Sequence, residues 1–468
     1  MFSLRKIYTL IFLIGIFFIP FNEFTGLSFL GEYSNEASAY FFFVGSFVLL
    51  IDILLSRKTV IPFNYTPIIF IGVYLIWIII SSLINLPEMS KNTLKGTGGI
   101  ERFFRQFISV FITLVLFIYL YINVLRKWSI EKIFYRMRFV FLLSFSFVFL
   151  YGLLEIMYAH FGMTFLAPII KAFSYFPFYE FPNYFSDRIS SVSFEAPFLA
   201  IFLITVAAWM FSYILTEKTL VRFIPTICVL ILTYYSDSRT ALIIILFQLF
   251  LFVLILMRQQ VYRKYILLGG GALVLLGVLF FSSPKGAKAA EEITEKIERL
   301  DFQKNLLNNV SNRSRFGMQY AQLQVFKEHP IVGVGLGQQA YYSKYHYPPW
   351  AATSNYEFKL WYKNPNVRNF PPGYNLYIRI LAENGIIGFL IFALIIATAL
   401  YKSIQLYFKK DVIKNILGVV LTISIVGIAI NWLQIDTYRL YGFWLFLAIL
   451  YAVDRNQSNK NKVVLDGQ

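Results

Sequence analysis

Apolar residues along this chain run in unbroken blocks separated by short basic stretches. Residues 241–257 show the pattern most clearly: Gln248 is the one polar side chain between Ala241 and Met257. A half-buried strand would alternate apolar and polar positions with a period of two, and these blocks do not. Crossing a bilayer takes roughly 20 residues as a helix. Backbone in lipid must satisfy its own hydrogen bonds, so the blocks predict membrane-spanning helices and not a β-barrel. Spans are expected at 7–22, 39–55, 67–84, 106–125, 139–158, 197–215, 223–235, 241–257, 265–282, 376–401, 415–433 and 440–453, about twelve in all. The chain therefore reads as an all-α polytopic membrane protein. Residues 1–282 hold the first nine spans, 283–375 form a large loop, 376–453 hold the remaining spans, and 454–468 form a tail.

Charge orients these spans. The formal net charge is +17. In a soluble protein that excess suggests nucleic acid. Here the cations gather between spans, so no nucleic-acid partner is expected. With the N-terminus inside, the inner loops carry Arg57 and Lys58, then Arg126, Lys127, Lys132, Arg136 and Arg138. Further along they carry Lys218 and Arg222, then Arg258, Arg263 and Lys264, then Lys402, Lys409, Lys410 and Lys414. The first outer loop has Glu23, Glu32 and Glu36 and no Lys or Arg. This asymmetry predicts both termini in the cytoplasm and the 283–375 loop outside. Lys91, Lys95 and Lys171 fall on the outer side against the trend. The first apolar run, after Arg5 and Lys6, is followed by Pro20, Phe21, Asn22 and Glu23, with no small-residue cleavage pattern, so it reads as an uncleaved span. The composition is 58% hydrophobic, more than a soluble domain of this length needs. The single cysteine, Cys228, excludes an intramolecular disulfide and a multi-cysteine metal site.

Two outer segments are long: about 159–196, and the large loop. Within the loop, residues 285–309 are charged but carry Ile293, Ile297 and Leu300 on one stripe, which predicts an amphipathic helix on the membrane surface. A second helix is expected over 314–327, ended by His329-Pro330. Gly333, Gly335 and Gly337 then make a turn-rich stretch. Residues 341–372 are aromatic and polar with prolines, and an irregular path is expected.

The candidate chemistry lies in arginines of the outer face: Arg102, Arg105, Arg188, Arg239, Arg313, Arg315, Arg368, Arg379 and Arg439. Arg239 and Arg379 sit at outer ends of spans, where a charge usually faces a cavity or a partner. A guanidinium donates two parallel hydrogen bonds to phosphate, so several around one cavity suit a pyrophosphate. The plainer reading is snorkelling to lipid head groups. Arg379 and Glu383 are four apart and share a helix face, consistent with a structural ion pair. Glu195, just before Pro197 at a span start, reads either as a general base or as a helix cap. Asp237 is expected to cap the span that Arg239 opens. His329 before Pro330 reads as structural, and His160 and His346 have no neighbouring ligand pattern. No His/Cys/Asp spacing indicates a metal site, so no metal or cofactor is expected. The Gly333-x-Gly335-x-Gly337 run follows a helix and not a strand, so a dinucleotide fold is not indicated.

Three stretches resemble the O-antigen polymerase and ligase family (Wzy/WaaL-type). They are Ser238-Arg239-Thr240-Ala241, the run from His329-Pro330 to Gly337, and Tyr374-Asn375-Leu376-Tyr377 continuing through Glu383-Asn384-Gly385 to Gly388. The segment from Arg188 to Pro197 resembles a polymerase outer-loop pattern more loosely. The resemblance implies a membrane glycosyltransferase of the GT-C type in a bacterial inner (cytoplasmic) membrane. Its substrate would be an undecaprenyl-pyrophosphate-linked glycan, with membrane lipid and a chain-length regulator as partners. It further implies catalytic roles for Glu195, Arg239 and Arg379, and substrate contacts for Arg188, Arg313, Arg315, Tyr374 and Asn375. Ligases of the family carry His just before the Asn of the third stretch; here the residue is Tyr374. A phenol, with a pKa of about 10, is a poor base near neutral pH. The departure favours polymerisation of lipid-linked repeat units into O-antigen or capsule-type polysaccharide. A ligase or related oligosaccharyltransferase is the alternative, and a lipid-linked sugar flippase is the alternative of another class. A transporter should show repeats or paired interrupted helices, which the sequence does not display.

Overall fold

A computed structural model describes residues 3–56, 62, 64–180, 188–258, 263–264, 294, 309–367 and 369–465. The main helices are α1 Leu4–Phe17, α2 Ala37–Ser56, α3 Thr66–Ile84, α4 Gly99–Leu125, α5 Ile130–Ala159, α6 Ala196–Thr216, α7 Leu220–Tyr235 and α8 Arg239–Met257. They continue with α9 Val310–Glu328, α10 Leu376–Tyr407, α11 Val412–Asn431 and α12 Tyr441–Leu465. Among the described residues, eight helices are long and apolar enough to cross a membrane: α2 to α6, α8, α10 and α11. A two-residue hairpin pairs Thr93–Leu94 with Thr97–Gly98. The expected span at 265–282 and the surface helix at 285–309 lie outside the described residues.

Two helices begin well before their apolar blocks. α5 starts at Ile130, where the Ser129 hydroxyl accepts from Lys132 N at 3.3 Å. Its first turns are basic, and Arg138 turns back into the bundle, 4.2 Å over the Tyr213 ring and 3.6 Å from Glu217. α4 starts at Gly99, because Arg102, Gln106 and Ser109 form a polar stripe that continues the apolar helix and faces protein. Residues 341–372 are less irregular than expected: short helical turns cover Pro349–Ala352 and Phe358–Tyr362. Phe358 and Tyr362 pack with Met318 and Ala351, which gives those turns a small core of their own.

Some polar groups inside the bundle bond across helices, away from water. Gln248 of α8 donates to Ile204 O of α6 at 3.0 Å and lies 3.2 Å from Ile423 O of α11. Gly427 of α11 leaves the space that this amide fills. Helix-end contacts sort the loops onto two faces. On the upper face Ser193 Oγ donates to Pro20 O at 2.9 Å, Leu376 N to Trp432 O at 2.9 Å, and Arg439 Nε to Glu36 Oε1 at 2.8 Å. On the lower face Asn456 Nδ2 donates to Trp128 O at 3.0 Å, and Lys402 stands 3.2 Å from Asp454. The start of α1 and the end of α12 share the lower face, and α9 lies on the upper one.

Candidate functional site

The upper face is organised by a break in α10. Asn375 caps this helix, its side chain accepting from Ile378 N at 3.1 Å. Ten residues further on, Gly385 leaves helical geometry at φ 65° and ψ −171°. That region is essentially open to glycine alone. The turn after α9 docks into the break. Ile386 N donates to Pro330 O at 2.9 Å, Val334 N to Ala382 O at 3.0 Å, and Gly335 N to Glu383 O at 2.8 Å. A Cβ on Gly385 would overlap the Ile331 carbonyl oxygen, so the close approach itself requires glycine. α3 holds the turn from behind: Ser81 Oγ donates to Val332 O at 2.8 Å and Asn85 Nδ2 to Gly333 O at 3.0 Å.

Arg379 lies just above this junction and is only 8% exposed. Its Nε stands 3.2 Å from Glu383 Oε1, Nη1 donates to Asp436 O at 2.9 Å, and Nη2 donates to Gln106 Oε1 at 2.6 Å. Every nitrogen of the guanidinium thus faces protein. Gln106 in turn donates to Glu32, which pairs with Arg439, and Tyr441 OH donates to Glu36. Burial pushes the Glu32 carboxyl up, but Arg439, Arg102 and Arg379 outweigh it and hold the group down at about 2. Arg102 lies 4.2 Å over the Phe370 ring. Glu32 and Gln106 were not singled out from sequence. The available signal was the spacing of Arg102, Gln106, Ser109 and Thr113, which puts polar groups on one face of an otherwise apolar helix.

Asp436 joins this network to a second one. Its Oδ2 accepts from Gly373 N at 2.5 Å, and Gly373 O accepts from Gln322 Nε2 of α9 at 3.2 Å. Tyr374 follows at φ 57°. Its ring lies 5.4 Å from the Arg315 guanidinium, and its hydroxyl is hydrogen-bonded to the Tyr362 hydroxyl. Burial raises the Tyr374 phenol above its ordinary range; the Tyr362 bond and Arg315 oppose this only in part. Arg313 Nη2 donates to Ser354 O at 3.2 Å. Arg368 lies outside the described residues.

The remaining candidates occupy the start of α8 and the loop before α6. Ser238, and not Asp237, caps α8: the Ser238 hydroxyl accepts from Ala241 N at 3.3 Å, while Asp237 sits one residue earlier in a left-handed turn at φ 46°. Arg239 is half-buried, and among the described residues no hydrogen bond or ion pair engages its guanidinium. Ile189 N donates to Tyr235 O at 3.3 Å, which lays the Arg188–Glu195 loop beside the turn into α8. Glu195 occupies the cap position of α6 but makes no capping bond, and its side chain is exposed. Glu23 lies close enough to feel it: burial first, then Glu180 and Glu195, push the Glu23 carboxyl up to about 7. Among the described residues, neither Glu195 nor Arg239 bonds to the Arg379 network. The histidines sit apart from these groups: His160 packs on Tyr235, His329 on Tyr342, and His346 stands 3.2 Å from Glu328. No group of three His, Cys, Asp or Glu that could hold a metal occurs among the described residues.

Residues 224–393 match the family model Wzy_C, described as O-antigen ligase. The match takes in Arg239, α9 with Arg313 and Arg315, the glycine turn and the break in α10. It supports the resemblance to the O-antigen ligase and polymerase family, whose members are glycosyltransferase-like membrane enzymes acting on lipid-linked glycans. The eight apolar helices agree with a multi-pass membrane protein of that kind. No curated protein matches the chain.

Proposed function

We propose that the protein polymerises undecaprenyl-pyrophosphate-linked repeat units at the upper face, which is the outer face of a bacterial inner membrane. The acceptor hydroxyl of one unit attacks the anomeric carbon of the growing glycan. A new glycosidic bond forms, the bond to pyrophosphate breaks, and lipid pyrophosphate leaves with the electron pair. Glu195 takes the hydroxyl proton. Its carboxylate is exposed and spent on no cap, as a general base must be. Arg239 and Arg315 donate to the developing negative charge, with Arg188 and Arg313 at the margin. Arg379 and Asn375 hold the floor of the site. Their donors and acceptors are already committed to Glu383, Asp436, Gln106 and Ile378.

Tyr374 carries the choice of polymerase over ligase. It stands where ligases of the family have His, its hydroxyl is taken by Tyr362, and burial makes it hold its proton more firmly. The experiment is to incubate purified protein with lipid-linked repeat units and resolve the products by size. A ladder of lengths is expected. Transfer of preformed glycan to a lipid A core, with no ladder from repeat units alone, would establish the ligase instead.

A further inference from the structure

α5 carries a carboxylate that the mechanism above does not use. Glu155 lies near the upper end of that helix and is 4% exposed. Among the described residues no Lys, Arg or His pairs with it. An ionisable side chain inside a membrane helix without a counter-ion is costly and usually serves a purpose. Among the described residues its hydrogen-bond partner is the loop that carries Arg188 and Glu195: Ser191 N donates to Glu155 Oε2 at 2.7 Å. Ser191 is itself buried and held at φ 55°, a left-handed geometry that serine adopts only when its surroundings impose it. The same serine donates from Oγ to Val148 O at 2.7 Å, about two turns earlier on the same helix face. Gly152 lies between, and the absence of a side chain there lets Ser191, Ile189 and Leu232 of α7 close over α5. Beyond it, Phe194 N donates to Asn22 Oδ1 at 2.7 Å, next to Glu195.

We infer that Glu155 is a positioning residue for the reaction proposed above: through Ser191 it fixes the turn that presents Glu195 and Arg188 at the upper face. It accepts a backbone N–H that no other described group satisfies, and so selects one path for the loop. A carboxamide oxygen can accept the same bond, whereas an aliphatic side chain of similar size cannot. Glu155→Gln and Glu155→Leu therefore separate anchoring from bulk.

The variants are compared in a Cys228→Ser, Phe194→Cys background, where the rate of thiol labelling reads the position of the loop without any turnover. Polymer formed from purified lipid-linked repeat units is measured in parallel in the Cys228→Ser background. Glu155→Gln should keep both the labelling rate and the pH profile of turnover. Glu155→Leu should label faster and lose turnover by about 100-fold, the scale of a small misplacement of reacting groups. Normal labelling and turnover in Glu155→Leu would overturn the inference. So would a Gln variant as inactive as Leu with an altered pH profile, because Glu155 would then handle a proton itself. If Glu155→Leu does not fold, amide exchange decides: Ser191 N–H should be protected in the parent and the Gln variant, and exchange as fast as that of an open loop refutes the anchor. A parent protein that makes no polymer, beside the expected labelling contrast, removes the proposed reaction and leaves the anchor standing.

Discussion

Replacing Arg379 by alanine should damage the fold before it damages the chemistry. The guanidinium meets Glu383 at 3.2 Å, Asp436 O at 2.9 Å and Gln106 Oε1 at 2.6 Å, and Glu383 is fully buried. Removing one partner of a buried ion pair costs about 3–5 kcal/mol, because the remaining charge is left without compensation. The buried Gln106 Oε1 also loses its donor, worth about 1–3 kcal/mol, and the part-buried Asp436 carbonyl loses less; these losses overlap with the first. Arg379→Ala is therefore expected to lose at least about 3 kcal/mol. Arg379→Met combined with Glu383→Leu removes both charges, and a paired apolar replacement is often near neutral. The double variant should recover much of the loss. The assay is reversible unfolding in mixed micelles followed by tryptophan fluorescence. Trp432, whose carbonyl accepts from Leu376 N at the head of α10, is a buried reporter beside the site. An Arg379→Ala protein within about 0.5 kcal/mol of the parent, the range of an ordinary surface change, yet devoid of polymer formation, would refute this. The guanidinium would then be meeting substrate.

Arg239→Ala should leave stability nearly unchanged and lower polymer formation by about 100- to 1,000-fold, the cost of one preorganised donor; Arg239→Lys should restore little if the contact is bidentate. Near-normal polymer in the alanine variant would remove Arg239 from the phosphate site. Tyr374→Phe should keep substantial activity while Glu195→Gln loses about 100-fold, and the reverse outcome would move the base to the phenol. Glu23, with its folded-state carboxyl raised to about 7 by burial, Glu180 and Glu195, favours the protonated fold. Its contribution is complete below the ordinary carboxylate range and fades as pH rises toward 7, so thermal stability should decline over that interval and Glu23→Gln should flatten the decline. In a variant lacking Cys228, Leu360→Cys and Asn364→Cys should react with an impermeant thiol reagent in intact spheroplasts. Protection there, with labelling in detergent, would invert the orientation.

The helices were legible because each is a continuous apolar block, and lipid leaves helix as the only backbone solution for such a block. The errors at their ends share a cause. Arg138 and Arg102 look like loop residues by polarity, yet Arg138 turns toward Glu217 and Arg102 lies over the Phe370 ring. Which polar groups point inward depends on partners distant in sequence. The Arg379–Glu383 pair was readable because helical spacing brings residues four apart together. Its ties to Gln106 and Asp436 were not, since they come from α4 and from the loop before α12. The break at Gly385 was equally hidden. Apolar periodicity runs on through it from Leu376 to Tyr407, and the glycine leaves the helix because the Pro330–Gly337 turn takes up the freed backbone.

Arg239 and Arg379 illustrate how far sequence and structure divide the work. Both are arginines at the upper end of an apolar helix, and position alone gives them the same reading. The difference lies in what the neighbouring chain supplies. Arg379 has an acid four residues on, within reach on the same helix face, and that carboxylate balances its charge in the bundle. The acid nearest Arg239 is Asp237, two residues back in a left-handed turn, and residues two apart do not face each other on a helix. No other described group takes its place. A half-buried guanidinium at the edge of the membrane keeps its full complement of donors, and an anion arriving from outside is the economical way to fill them. On the polymerase reading proposed above, a charge left uncompensated among the described residues favours Arg239, more than Arg379, as the position to test for pyrophosphate contact.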